Sequence, residues 1–179
     1  MNSLIVVLSS MLYCLPGSGR SAESYAQRLP SSDTTAVNVQ QSTPNHSVIN
    51  PAELITYAQS FKGVPYKYAS ADPEKGFDCS GFVLYVFKHF NVNVPRSSSA
   101  FAKIGKRVTL DEAQPGDIIL FTGPKSGTTR AVGHVGIVTE GGTTISFIHA
   151  TSGKAYSVIE TAMTPHYRKR FVKIVRVLS

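Results

Sequence analysis

The 179-residue sequence contains no tryptophan and only two cysteines, Cys14 and Cys79. Two cysteines exclude a disulfide-stapled scaffold, and no C-x2-C or H-x3-H spacing supports a structural zinc module. No run of about 20 apolar residues is present, so no segment is long enough to cross a bilayer as a helix. Negative charge is scarce as well: 11 acidic residues against 18 lysines and arginines leave a formal net charge of +7. That balance suits an anionic partner, such as an acidic lipid or an anionic polymer, or simply keeps a surface solvated. Nucleic acid is not indicated, because basic and aromatic residues are not interleaved. No internal repeat is visible, which excludes solenoid and propeller arrays.

What is present is ordered along the chain. Residues 1–19 carry no Lys, Arg, Asp or Glu, and Leu4–Leu15 is a short apolar run followed by Pro16-Gly17-Ser18-Gly19. This fits a signal peptide over 1–19, with Gly17 and Gly19 at the small-residue positions before cleavage, and predicts export to the periplasm or cell envelope. Cys14 offers a lipoprotein alternative, although Tyr13 is bulky for the residue that precedes a lipidated cysteine. Residues 20–49 are rich in Ser, Thr, Gln and Asn without a hydrophobic period, and read as a disordered linker. A single domain is expected over 50–179. Once the leader is removed, Cys79 has no intramolecular partner. An exported protein with one free thiol exposes it to oxidation, a cost that makes sense if the thiol is used.

Within the domain, Asn50, Pro51 and Glu53 give the N-cap, first-turn proline and capping box of a helix whose apolar stripe is Leu54, Tyr57, Ala58 and Phe61 and which ends at Gly63. A loop over Gly63–Gly76 leads to a second helix that ends near Asn91. Ser97–Ile104 is expected as a short helix. Beyond Lys106 the pattern changes to strands: Ile118–Phe121 after the Gln114-Pro115-Gly116-Asp117 turn, then Gly133–Thr139 and Thr144–His149 joined through Glu140-Gly141-Gly142, Val158-Ile159, and Phe171–Leu178. Helices first and an antiparallel sheet after make the fold α+β.

The chemistry gathers on Gly76-Phe77-Asp78-Cys79-Ser80-Gly81. Asp78 caps a helix whose stripe is Phe82, Val83, Val86, Phe87 and Phe90, which places Cys79 at the head of the core-facing side. There the thiol meets unpaired backbone N–H groups and the positive end of the helix dipole, the setting of a nucleophile. Of the five histidines, His46, His89 and His166 read as surface residues, the last in a basic loop. His134 and His149 stand near the open end of the predicted hairpin, where counting from the loop pairs them directly across the two strands. One can take the proton of Cys79 while the other orients the first. Zinc held by Cys79, His134 and His149 is the alternative to weigh.

These segments resemble a known family. Pro65-Tyr66, Phe77-Asp78-Cys79-Ser80-Gly81-Phe82, Pro115-Gly116-Asp117, Gly133-His134-Val135-Gly136-Ile137 and Phe147-Ile148-His149-Ala150 are similar, in order, to the NlpC/P60 cell-wall cysteine peptidases. The resemblance implies a papain-like α+β core and no cofactor. It implies a monomer that hydrolyses peptidoglycan stem peptides, commonly between D-glutamate and a diamino acid. By the same resemblance Cys79 is the nucleophile, His134 the base and His149 the third residue. Tyr66 assists the oxyanion or the substrate, and Asp78 and Ser80 contact the amino-terminal side of the substrate. The Trp-Gly-Gly often found after the tyrosine is Tyr68-Ala69-Ser70 here. A non-catalytic wall-binding module, or an amidase or acyltransferase on the same core, are the competing functional readings.

Overall fold

The computed structural model describes residues 49–123 and 131–178, all of which fall in the unit Pro44–Ser179. The leader, Cys14, the linker up to residue 48 and the polar loop Lys125–Arg130 lie outside the described residues. Among those described, no helix is long and apolar enough to cross a membrane.

Helix α1 spans Pro51–Gln59, capped by the Asn50 side chain, which accepts from the Ala52 N–H at 3.0 Å. A short hairpin, β1 (Ala71–Asp72) and β2 (Gly76–Phe77), leads into α2, Cys79–His89. The Asp78 carboxylate accepts from the Gly81 N–H, and Phe82, Val83, Val86 and Phe87 bury completely. Each such side chain contributes about 1.5–3 kcal/mol by leaving water. Ser98–Lys103 forms a 3-10 helix.

Six antiparallel strands follow: β3 (Lys106–Val108), β4 (Ile118–Thr122), β5 (Val132–Glu140), β6 (Ser146–Ala150), β7 (Val158–Ala162) and β8 (Phe171–Arg176). Their order in the sheet is β3-β8-β4-β5-β6-β7. Between β7 and β8 lies α3, Pro165–Arg170. Sequence reasoning made His166 part of a loop; it is helical because Pro165 supplies the first turn, in a helix too short to show a period.

Both faces of the sheet are covered. On one, Ile118, Leu120, Val135, Ile137, Ile148, Ala150 and Val175 share a core with α1 and α2. On the other, Val108, Ile119, Phe121, Val138, Phe147 and Ile174 pack with Met163, Tyr167 and Phe171. This two-sided burial explains why β4 reads as an unbroken apolar run rather than an alternation. The margins of the sheet are also occupied. The Gly63 N–H donates to the Val158 carbonyl, and the Val158 N–H to the Val64 carbonyl, both at 2.9 Å. Farther along β7, Glu160 is held by Lys62 and Gln59. At the opposite margin, β3 is only three residues long and exposes Lys106 and Arg107.

A buried ion pair ties the turn before β4 to the last strand. Asp117 is 2% exposed and accepts from Arg176 at 2.7 and 2.8 Å, while Arg176 also donates to the Glu112 carbonyl.

The hairpin register differs from the expectation. Ile137 faces Ile148 and Val138 faces Phe147, with an irregularity before the Glu140–Ser146 pair. The register therefore places His149 opposite Gly136, two residues from His134. The connection over 141–145 centres the hairpin near Thr143 rather than on the glycine pair, which shifts the count that placed His134 directly across from His149, and the extra residue at Thr139 takes back one position of that shift.

Candidate active site

Cys79 occupies the first position of α2 and is half-buried. Its thiol lies near the backbone N–H groups of Val135, the residue after His134, of Ser80 and of Cys79 itself, all of which favour the thiolate. Strand β5 thus runs past the mouth of α2, and His134 is the residue just before the one at the sulfur. Burial pushes the thiol up, the Asp78 carboxylate adds to this, and the three N–H groups only partly offset them. The resting group is therefore a thiol, despite its position at a helix start.

His134 and His149 meet directly. His134 Nε2 lies 2.8 Å from His149 Nδ1, with the rings at 81° to each other. Because the two positions are diagonal, the contact needs open space between them, and Gly136 supplies it. A Cβ at Gly136 would lie 3.2 Å from the His149 Cβ and 3.0 Å from Phe147. His149 Nε2 faces Thr161 Oγ1 at 3.3 Å and the Tyr167 hydroxyl at 3.5 Å. One set of tautomers serves all these contacts. His149 donates from Nε2 to Thr161 and accepts at Nδ1 from His134 Nε2–H, which leaves a lone pair on His134 Nδ1.

Both imidazoles are held neutral. Burial, then the neighbouring His149, then Arg170 keep His134 well below the usual histidine range. His149, fully buried, is lowered by burial and by Arg170 to about 4. This has a consequence for stability. The folded value lies below the unfolded one near 6.5, so as pH falls the unfolded chain takes up the proton first. The contribution of His149 is intact above about pH 6.5 and erodes as pH drops toward 4, by roughly 3 kcal/mol, with His134 acting in the same direction. Urea unfolding at pH 7.5 and at pH 4.5 is expected to show this loss, and His149→Asn should flatten it; equal acid sensitivity in the variant would contradict the assignment.

Asp78, Ser80 and Arg96 form a closed set beside the thiol. The Asp78 carboxylate, 6% exposed, accepts from the Gly81 N–H at 2.7 Å, from Ser80 Oγ at 3.1 Å and from both Arg96 terminal nitrogens. Arg96 Nη1 also donates to Ser80 Oγ at 2.9 Å. Sequence reasoning missed Arg96, which lies in a loop 16 residues after Ser80 and belongs to no local pattern. Gly81 is required for space: a Cβ there would sit 2.1 Å from the Ser70 carbonyl oxygen. That carbonyl in turn accepts the Asp78 N–H, and Ala69 beside it adopts φ 58°.

Tyr66 closes another side of the site. Its N–H donates to the Tyr156 carbonyl at 2.8 Å, and its ring lies 5.4 Å from that of Tyr156. Burial and then the nearby Cys79 and Asp78 push its phenol up. Tyr66, Asp78, Cys79 and Ser80 therefore gather at the start of α2 with the Val135 backbone beside the thiol, and His134 and His149 meet each other on the adjoining strands. Among the described residues, no cluster of three or more His, Cys, Asp or Glu side chains is arranged to hold a metal ion.

Comparison with known proteins agrees with this architecture. The NlpC/P60 family profile matches residues 63–176. A probable endopeptidase NlpC of Escherichia coli K12 is 38% identical over 104 residues, 58% of this chain and 63% of that protein. Murein DD-endopeptidase MepS/murein LD-carboxypeptidase of the same organism is 30% identical over 156 residues, covering 85% of this chain and 78% of that protein. The crystal structure of an NlpC/P60 family protein from Bacillus cereus superposes with a TM-score of 0.65 at 29% identity, over 74% of this chain and 41% of the other. With the fold, the order of the motifs and the span of the match in agreement, the chain belongs to the NlpC/P60 family.

Proposed function

We propose that the protein is an exported cysteine endopeptidase that hydrolyses peptide bonds in bacterial peptidoglycan stem peptides. The observation that carries the reading is the buried His134–His149 pair on strands of which one passes Val135, the residue after His134, by a thiol at a helix start. The names of the relatives support it, since one is a probable endopeptidase and another a murein DD-endopeptidase and LD-carboxypeptidase.

In this mechanism His134 Nδ1 takes the thiol proton as Cys79 Sγ attacks the carbonyl carbon. His149 Nδ1 accepts from His134 Nε2–H and steadies the imidazolium that forms. The developing oxyanion receives the Cys79 backbone N–H, with the Tyr66 hydroxyl as a second donor. Each such donor contributes about 3 kcal/mol in the transition state. The imidazolium protonates the leaving amine, and water then hydrolyses the thioester with His134 again as base. Asp78 and Ser80, braced by Arg96, line the side that receives the amino-terminal part of the substrate. A thiol paired with a neutral imidazole suits this path, because proton transfer and attack occur together.

The D-glutamyl–diamino acid bond is the preferred target. The name of the relative that is 30% identical favours cleavage of a D,D cross-link as the second reading. Digestion of defined muropeptides followed by mass spectrometry separates the two. Release of a fragment ending in D-glutamate is expected, separated monomers with intact stems would support the second, and no cleavage of either class would refute the proposal. An amidase or acyltransferase would leave different masses, and a wall-binding module would bind without cleaving.

A further inference from the structure

Tyr156 stands in the loop between β6 and β7 with φ 49°, in the left-handed region that a side chain with a Cβ rarely adopts. It is also one of two large hydrophobic side chains that are mostly exposed among the described residues, at 57%. Neither feature is needed to close the loop, because glycine or asparagine adopts this backbone more easily. The conformation is held from both sides. The Tyr156 N–H donates to the Gly153 carbonyl at 2.9 Å, and its own carbonyl accepts the Tyr66 N–H at 2.8 Å. Pro65 and Ser157 form an isolated antiparallel bridge beside it. The chain thus accepts an unfavourable backbone to hold a phenol ring 5.4 Å from Tyr66, tilted by 60°. Tyr66 in turn borders Cys79.

We propose that Tyr156 is a substrate-binding, specificity-determining residue: with Tyr66 it forms an aromatic wall that holds a stem-peptide residue flanking the scissile bond. The inference rests on the peptidase reading above and adds a binding determinant to it. Two rings meeting at an angle present a corner with flat apolar faces. Such a corner takes a peptide plane and a short aliphatic side chain, which shed water against the rings. Neither ring carries a charge, so the wall does not select for the carboxylates of the substrate. It selects for shape.

The test uses Tyr156→Gly and Tyr156→Asn, both compatible with a positive φ, and Tyr156→Phe, which keeps the ring. On a free stem peptide the glycine and asparagine variants are expected to raise KM at least fivefold with kcat within twofold of the parent. The phenylalanine variant should stay near the parent. A Tm unchanged or higher in the glycine variant separates lost binding from lost folding. Unaltered KM in both the glycine and asparagine variants would overturn the proposal, as would a loss confined to substrates carrying the disaccharide. Calorimetric titration of the same peptide into the Cys79→Ala protein, with and without Tyr156→Gly, keeps the two readings apart. Binding that depends on Tyr156 in a protein whose parent cleaves nothing would sink the peptidase reading and leave the wall standing. Absence of any binding would sink the wall.

Discussion

Cys79→Ala is expected to abolish muropeptide cleavage, lowering kcat by more than about a thousandfold, while the fold survives. The sulfur is half-buried at a helix start, and alanine, being smaller, fits there without a clash. His134→Ala should cost nearly as much, because the Asp78 carboxylate beside the thiol is already engaged by Arg96, Ser80 and the Gly81 N–H. The double variant should be no worse than either single one, since nucleophile and base act as a unit. Alkylation of Cys79 by iodoacetamide gives a readout independent of turnover. Burial and Asp78 push the thiol up, so labelling should be slow at neutral pH and rise only above the usual thiol range. Cleavage retained by Cys79→Ala would remove the proposed mechanism.

The second large effect concerns the fold. Arg176→Met strands the Asp117 carboxylate, which is 2% exposed and loses both of its guanidinium contacts. Removing one member of a buried pair costs about 3–5 kcal/mol, because a charge is left without compensation. The Glu112 carbonyl loses its donor as well. A drop in melting temperature of roughly 10 °C is expected for a domain of this size. Arg176→Met combined with Asp117→Asn should recover part of the loss: the charge is gone, and the side-chain carbonyl can still accept the Gln114 N–H now bonded to Oδ2. A double variant worse than Arg176→Met alone would show that the cost lies elsewhere, in packing around β8.

Much of this was legible in the residues, and what was not has physical reasons. Helix α2 was readable because Phe82, Val83, Val86 and Phe87 repeat at helical spacing behind an acidic cap. The β5–β6 hairpin was readable because apolar strands flank a glycine pair. Its register was not, because the connection centres near Thr143 rather than on the glycine pair and an irregular residue near Thr139 then moves the pairing back by one, and only tertiary packing decides both. His134 and His149 still meet, since a bare Gly136 lets the rings lean together across the diagonal. Strands β1 and β2, two residues each, and helix α3, six residues, are too short to carry a period. Arg96 escaped for another reason: a guanidinium in a loop looks solvated until the chain folds it onto Asp78. The thiol also proved less acidic than its place at a helix start suggested, because a sequence shows the dipole but not the depth of burial.

The two margins of the six-stranded sheet bear on life beside an insoluble polymer. A bare strand there would template another copy, and molecules crowded on one surface would zip together. Here one flank is sutured by the Gly63–Val64 segment, and the other is clipped to three residues bearing Lys106 and Arg107. Copies gathered at high local density are thereby denied a backbone on which to stack.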